Sequence, residues 1–199
     1  MLMNHRHFLI YKPYKVVSQF ITNDRHQKKK RFLGDLAFFP EGCMAVGRLD
    51  ETSEGLLIIT TDGKLSHFIN NSPAFDKEYY VQVDGTITDE AIDKLKNGVQ
   101  ISVNSKTYNT NECQVHLLLS VPDVPATNQK IRDDRHGPTS WISIVLNEGK
   151  FRQVRKMTSA VGFPTLRLAR ARIANYNFEG MKCGEVIELD EEQLRAINS

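Results

Sequence analysis

Apolar runs and their spacing along the chain predict an alternation of short strands and helices. Phe8-Leu9-Ile10-Tyr11 is a first strand, stopped by Pro13. Gly55-Leu56-Leu57-Ile58-Ile59-Thr60 is short, uniformly apolar and closed by the turn signal Asp62-Gly63, which predicts a buried strand. Lys64 to Asn70 follows as a helix, and Tyr79-Tyr80-Val81-Gln82-Val83 is β-branched and aromatic enough for the next strand. Thr88, with Asp89 and Glu90 behind it, Ile92 and Leu95 in register and Gly98 as a stop, predicts a short capped helix. Glu112 to Ser120 and Ser140 to Leu146 read as strands, separated by a polar, Pro-containing surface loop over 121–139. Lys150 to Val161 predicts a helix with a core stripe of Phe151, Val154, Met157 or Thr158, and Val161, while Arg152, Arg155 and Lys156 occupy other faces. Gly162 ends it, and Thr165 to Ile173 is extended. The alternation lacks the regularity of a doubly wound sheet, so an α+β fold is expected, with no internal repeat.

Composition narrows the class. With 199 residues, 40% hydrophobic and 25% charged, the chain can bury roughly 70% of its unfolded surface and needs neither disulfides nor a structural metal. Cys43, Cys113 and Cys183 are odd in number and far apart, against a disulfide framework or a zinc site. No stretch approaches the roughly 18 apolar residues of a membrane span, and the first residues carry no long apolar segment, so a cytoplasmic protein without a membrane partner is expected.

The net charge of +2 is unremarkable, but its distribution is not. Arg25 to Arg31 holds five Lys/Arg residues and no acid; Asn147 to Arg172 holds seven against the single acid Glu148; Glu185 to Glu192 is acidic. Two basic zones on a nearly neutral chain suit a polyanion held on one face, although a solvated charged surface explains the first run equally well. The second run, with its helix and adjoining strand, is a surface that can track a phosphate backbone.

Several chemistries lack their carriers. There is no phosphate loop, no Gly-x-Gly-x-x-Gly after a strand and no Gly-x-Ser-x-Gly elbow, and the six histidines form no i, i+4 metal pair. What remains is Asp50, within Gly47-Arg48-Leu49-Asp50-Glu51-Thr52-Ser53-Glu54-Gly55 at the entrance to the buried strand. By spacing alone, capping a turn or pairing with Arg48 explains such a carboxylate better than chemistry does.

Gly47-Arg48-Leu49-Asp50, followed by Gly55-Leu56-Leu57 and Thr61-Asp62-Gly63, resembles the signature of pseudouridine synthases, in the branch typified by the small-subunit ribosomal RNA enzyme. Lys77-Glu78-Tyr79-Tyr80-Val81 resembles the family's Lys-x-Tyr-x-Val strand, and Glu148-Gly149-Lys150-Phe151-Arg152-Gln153-Val154-Arg155-Lys156-Met157 its basic helix. Phe151 stands where the family often has a polar residue, and Lys156 replaces a common arginine. Ile131-Arg132, Pro138-Thr139-Ser140-Trp141 and Val161 to Leu168 resemble, more narrowly, a subgroup acting on large-subunit ribosomal RNA.

The resemblance implies a single catalytic domain over 1–199: a mixed, mostly antiparallel sheet flanked by helices, in two lobes with the active site in the cleft between them. No separate N-terminal RNA-binding domain is expected. The implied reaction is isomerisation of a uridine in ribosomal RNA, expected in 23S large-subunit RNA, by a monomer with no metal or cofactor. Asp50 would be the nucleophile on a flipped-out uridine, Arg155 its cationic partner with Arg152 as the alternative, and Tyr79 the ring that stacks on the uracil. Arg48 would brace the vacated stack, and Lys150, Arg152, Lys156, Arg167 and Arg170 would contact the RNA. Transfer or small-subunit RNA as substrate, or a mainly non-catalytic ribosome-assembly factor that binds RNA, are the alternatives.

Overall fold

The run at Gly55 folds into a strand, Glu54–Thr60, whose seven residues are all buried. An apolar run without alternation has no face to give to solvent, so it must lie inside a sheet covered on both sides. The structure, a computed structural model, describes residues 5–22, 29–72, 75–190 and 192–193. In chain order the elements are β1 (His7–Lys12), β2 (Val16–Val17), β3 (Arg31–Phe32), β4 (Met44–Val46), β5 (Glu54–Thr60), α1 (Gly63–Asn71), β6 (Lys77–Asp84) and α2 (Asp89–Lys96). Then follow β7 (Gln100–Val103), β8 (Lys106–Asn109), β9 (Gln114–Leu118), β10 (Thr139–Leu146), α3 (Gln153–Ala160), β11 (Thr165–Ile173), β12 (Tyr176–Asn177) and β13 (Val186–Leu189). Packing divides them into two units: Met1–Phe75 with Pro125–Asn128 and Arg172–Ser199, and Asp76–Val124 with Gln129–Ala171.

In the first unit β5 pairs antiparallel with β1 from His7↔Thr60 to Lys12↔Gly55. The other edge of β1 pairs antiparallel with β13, from His7↔Leu189 to Ile10↔Val186, and β4 pairs antiparallel with the end of β5. Phe8, Ile10, Val16, Leu33, Leu57 and Ile59 form the core beneath. The Asp62 carboxylate accepts from the N–H groups of Lys64 at 2.8 Å and Leu65 at 3.3 Å, so the Thr61-Asp62-Gly63 signature is the N-cap of α1.

In the second unit the strand order is β11-β6-β10-β9. β10 pairs antiparallel with β6 from Thr139↔Asp84 to Leu146↔Lys77, over a core that includes Val81, Val83, Leu95, Ile142, Ile144, Met157 and Leu168. Its other edge pairs antiparallel with β9, whereas the short strands β2 and β3 run parallel to each other. Mostly antiparallel strands with interspersed helices are the expected α+β class. Thr88 caps α2, its hydroxyl accepting from the Ala91 N–H at 3.2 Å. Gly98 stops the helix at φ 85°, where a Cβ would run into the Thr110 carbonyl.

Two features depart from the sequence reading. The hairpin of β7 and β8 has no counterpart in it: Val99, Ile101 and Val103 alternate with polar residues and pack on the core with Tyr108, but the run is short, and Asn104 (φ 50°) and Ser105 (φ 61°) make a two-residue turn. The basic helix begins at Gln153 rather than Lys150, because Arg152 adopts the left-handed conformation at φ 54°. Phe151 therefore precedes the helix and is 66% exposed instead of joining its core stripe, which Val154, Met157 and Thr158 supply.

The 121–139 segment has one short 3-10 turn, Asp134–His136, and is otherwise irregular up to Thr139, where β10 begins. It is tied down by side chains. The Thr127 hydroxyl donates to the buried Glu54 carboxylate, and the Gln129 amide donates to the Leu166 carbonyl at 2.7 Å. Arg132 donates to Asp84 and to the carbonyls of Gly137 at 2.7 Å and Pro138 at 3.0 Å.

Candidate active site

Asp50 is half-buried in the loop between β4 and β5, and the backbone on both sides of it is fixed. Gly47 turns the chain at φ 68°, a conformation that suits glycine. Leu49, 6% exposed, anchors the loop in the core. Both of its main-chain groups are taken by one side chain: the buried Ser18 hydroxyl donates to the Leu49 carbonyl at 2.7 Å and accepts from its N–H at 3.1 Å. Beyond Asp50, the Ser53 N–H donates to the Asp50 carbonyl at 3.0 Å, and the Lys15 N–H donates to the Glu51 carbonyl at 2.8 Å. The main chain that carries the Asp50 carboxylate is therefore held in place. Arg48, beside it, is exposed.

Tyr79 lies on β6, half-buried against the core of the second unit and opposite Ile144 of β10. Lys77, two residues earlier on the same face of the strand, carries a moved protonation equilibrium. Burial pushes its ammonium down to about 8, Arg170 adds repulsion and Asp76 opposes them. In the sequence Lys77 stands out only as part of the strand motif. A lysine opening an apolar strand was the available signal of its burial.

The segment leading into α3 is built around Glu148. Its carboxylate accepts from the Gln153 side-chain amide at 2.6 Å, from the Asn111 N–H at 3.0 Å and from the Tyr108 hydroxyl. The Gln153 side-chain oxygen in turn accepts from the Lys150 N–H at 2.9 Å. These bonds fix the left-handed turn at Arg152 and set the start of α3, which carries Arg155 and Lys156. Arg152 is thus at the helix N-cap, not on the helix shared with Arg155. Lys150 is exposed, and Arg152, Arg155 and Lys156 are half-buried.

Two of the expected RNA contacts are misplaced. Arg167 is 9% exposed and Arg170 only 2%, both within β11, so these guanidinium groups are interior cations rather than part of a surface phosphate track. Charge along a sequence does not distinguish a face of a strand from its core side. Of the first basic run, Arg25 and Lys28 lie outside the described residues, as does Glu191 of the acidic run. Lys29, Lys30 and Arg31 are exposed, with Lys30 paired to Glu51 at 2.7 Å. The structure thus places Asp50 and Arg48 in the first unit, and Tyr79, Lys77 and the Lys150 to Lys156 segment in the second.

A family model described as RNA pseudouridylate synthase matches residues 6–160. The chain belongs to the RNA pseudouridylate synthase family. It is accordingly an RNA pseudouridine synthase, an isomerase, and the matched span holds Asp50, Tyr79 and Arg155. A protein of Xanthomonas axonopodis pv. citri (strain 306) named ribosomal large subunit pseudouridine synthase E is 38% identical over 174 residues, 87% of this chain and 88% of that one. A protein of the same name from Vibrio parahaemolyticus is 35% identical over 193 residues, 94% of this chain and 75% of that one. These bear out the narrower likeness carried by Ile131-Arg132 and Val161 to Leu168. A crystal structure of a pseudouridylate synthase superposes with a TM-score of 0.74 at 21% identity, covering 98% of this chain and 74% of that one, which establishes the pseudouridine synthase fold. Among the described residues no helix is long and apolar enough to cross a membrane.

Proposed function

We propose that this synthase isomerises one uridine of large-subunit, 23S ribosomal RNA, with Asp50 as nucleophile on a flipped-out nucleotide. The observation that carries the reading is the Asp50 loop, clamped through Ser18 before the aspartate and through the Ser53 N–H after it. The names of the relatives support the choice of RNA. An RNA of that kind places the work in the cytoplasm.

The reaction conserves atoms and electrons. The C1′–N1 bond breaks, the uracil rotates, C5 bonds to C1′, the proton on C5 is lost and N1 gains one. No redox equivalent or nucleotide energy is consumed, so no cofactor is required. Asp50 attacks as the carboxylate. Enclosing that charge away from water favours its neutral form, and a fixed cation offsets this. We assign that role to Arg155, because an arginine stays charged and can hold a carboxylate through two parallel hydrogen bonds. Tyr79 supplies a ring for the uracil. Flipping the nucleotide costs a few kcal/mol, which binding must offset, and Arg48 braces the space it leaves.

The test is to incubate the protein with unmodified ribosomal RNA and map pseudouridine by base-specific labelling and reverse-transcription stops. A stop in large-subunit RNA is expected with the wild type. Asp50→Ala should lower its formation by roughly 10³-fold or more while RNA binding persists. A stop found only in transfer or small-subunit RNA overturns the substrate, and unchanged product from Asp50→Ala removes that residue from the mechanism.

A further inference from the structure

Phe151 is 66% exposed, whereas Phe8, Phe75 and Phe178 are each 6% exposed or less. The ring is not held out by a slack loop. Glu148 and Gln153 brace the turn below it, and the left-handed Arg152 keeps it off the helix face. One side of the ring is already lined by a fixed cation: the Lys156 ammonium lies 5.2 Å from its centroid and donates to the Ser102 carbonyl at 2.7 Å. Lys150 sits 4.9 Å from the Tyr108 ring centroid, so the same small surface alternates aromatic rings and cations. Its one nearby acid in sequence, Glu148, is engaged by three donors. Phe38 is more exposed, at 92%, but stands between Asp35 and Glu41 with no base between them, the wrong sign for a polyanion.

An apolar protein surface docking on Phe151 would have to desolvate Lys150, Arg152 and Lys156 without neutralising them. A single-stranded RNA does both jobs: a base stacks on the aromatic face and the flanking phosphates meet the cations. We propose that Phe151 is a stacking platform for an unpaired base of the substrate RNA, beside phosphates held by Lys150, Arg152 and Lys156, and hence a determinant of RNA affinity. This rests on the RNA-modifying reading above and extends it to a residue outside the reaction centre.

The measurement is equilibrium binding of the full chain to a large-subunit RNA fragment over a range of salt, for the wild type and for Phe151→Ala, Phe151→Leu and Phe151→Trp. Phe151→Ala and Phe151→Leu should each bind about tenfold more weakly, ~1.4 kcal/mol, with the slope of log K against log salt unchanged, because a neutral ring releases no counterions. KM should rise in step, with a smaller change in kcat. Phe151→Trp should keep its affinity, and its indole emission should be quenched by RNA beyond any change shown by the buried Trp141 of the wild type. Wild-type affinity in Phe151→Ala, or in Phe151→Leu, which keeps the apolar volume without the π face, overturns the proposal. So does a lost protein association with RNA affinity intact. Wild type that binds the RNA but forms no pseudouridine overturns the catalytic reading and leaves the stacking result standing; wild type that does not bind it overturns both.

Discussion

A lysine that titrates near pH 8 is one residue-scale consequence of this fold. Lys77 is held below its ordinary range of about 10.5 by burial first and by Arg170 second. Between the two values the unfolded chain binds the proton and the folded chain does not, so stability should rise with pH from about 8 to 10.5 through this group. Below pH 8 the cost of the buried charge is fully present. Urea titrations of wild type and Lys77→Met at pH 7 and pH 10 check this. The wild type should gain stability relative to the variant at the higher pH, and an equal difference at both would refute the assignment. Residues are unevenly legible in the sequence. Asp50 emerges from its company in motifs rather than from its spacing, and Lys77 passes as strand filler because desolvation has no signature in the order of residues. Arg167 and Arg170 mislead for the opposite reason, since a cation is visible in a sequence and its burial is not.

Elements are most legible where a cap or an unbroken apolar run imposes them. Thr88 opens its helix, Gly98 closes it, and β5 is buried along its whole length, whereas Asp62, read in the sequence as a turn, proves to be the cap of α1. The β7–β8 hairpin, a short alternating run, has neither a cap nor an unbroken apolar stretch, and the sequence starts α3 three residues early because the left-handed Arg152 is held by side chains brought from other elements. Glu148 is the centre of that arrangement. Glu148→Ala leaves the Tyr108 hydroxyl, the Asn111 N–H and the Gln153 amide without their acceptor. A loss of about 2 kcal/mol is expected for stripping partly buried donors, with Glu148→Gln falling between the variant and the wild type. Denaturation midpoints measure it. A midpoint unchanged in Glu148→Ala would mean that the turn into α3 is held by something else.

At the scale of the whole molecule, the interior placement of Arg167 and Arg170 leaves Lys150, Arg152 and Lys156 as the named cations for phosphate contact. Three such contacts to single-stranded RNA give a log K against log salt slope of roughly −2, and Lys150→Ala should make it shallower by about 0.7. Filter binding between low and physiological salt reads both values. A slope near zero would exclude a phosphate-dominated interface. The division into two units carries a different consequence, one of time. The second unit is drawn almost wholly from the middle of the chain, whereas the first joins segments from its two ends, with β1 bonded to β13 across nearly the full length. As the chain leaves the ribosome, β1 emerges among the first elements and its β13 neighbour last, so an apolar strand waits through synthesis with one side unpaired. The middle unit can mature meanwhile, and closing the pairing of β1 with β13 becomes the slow, aggregation-exposed step of this chain's synthesis.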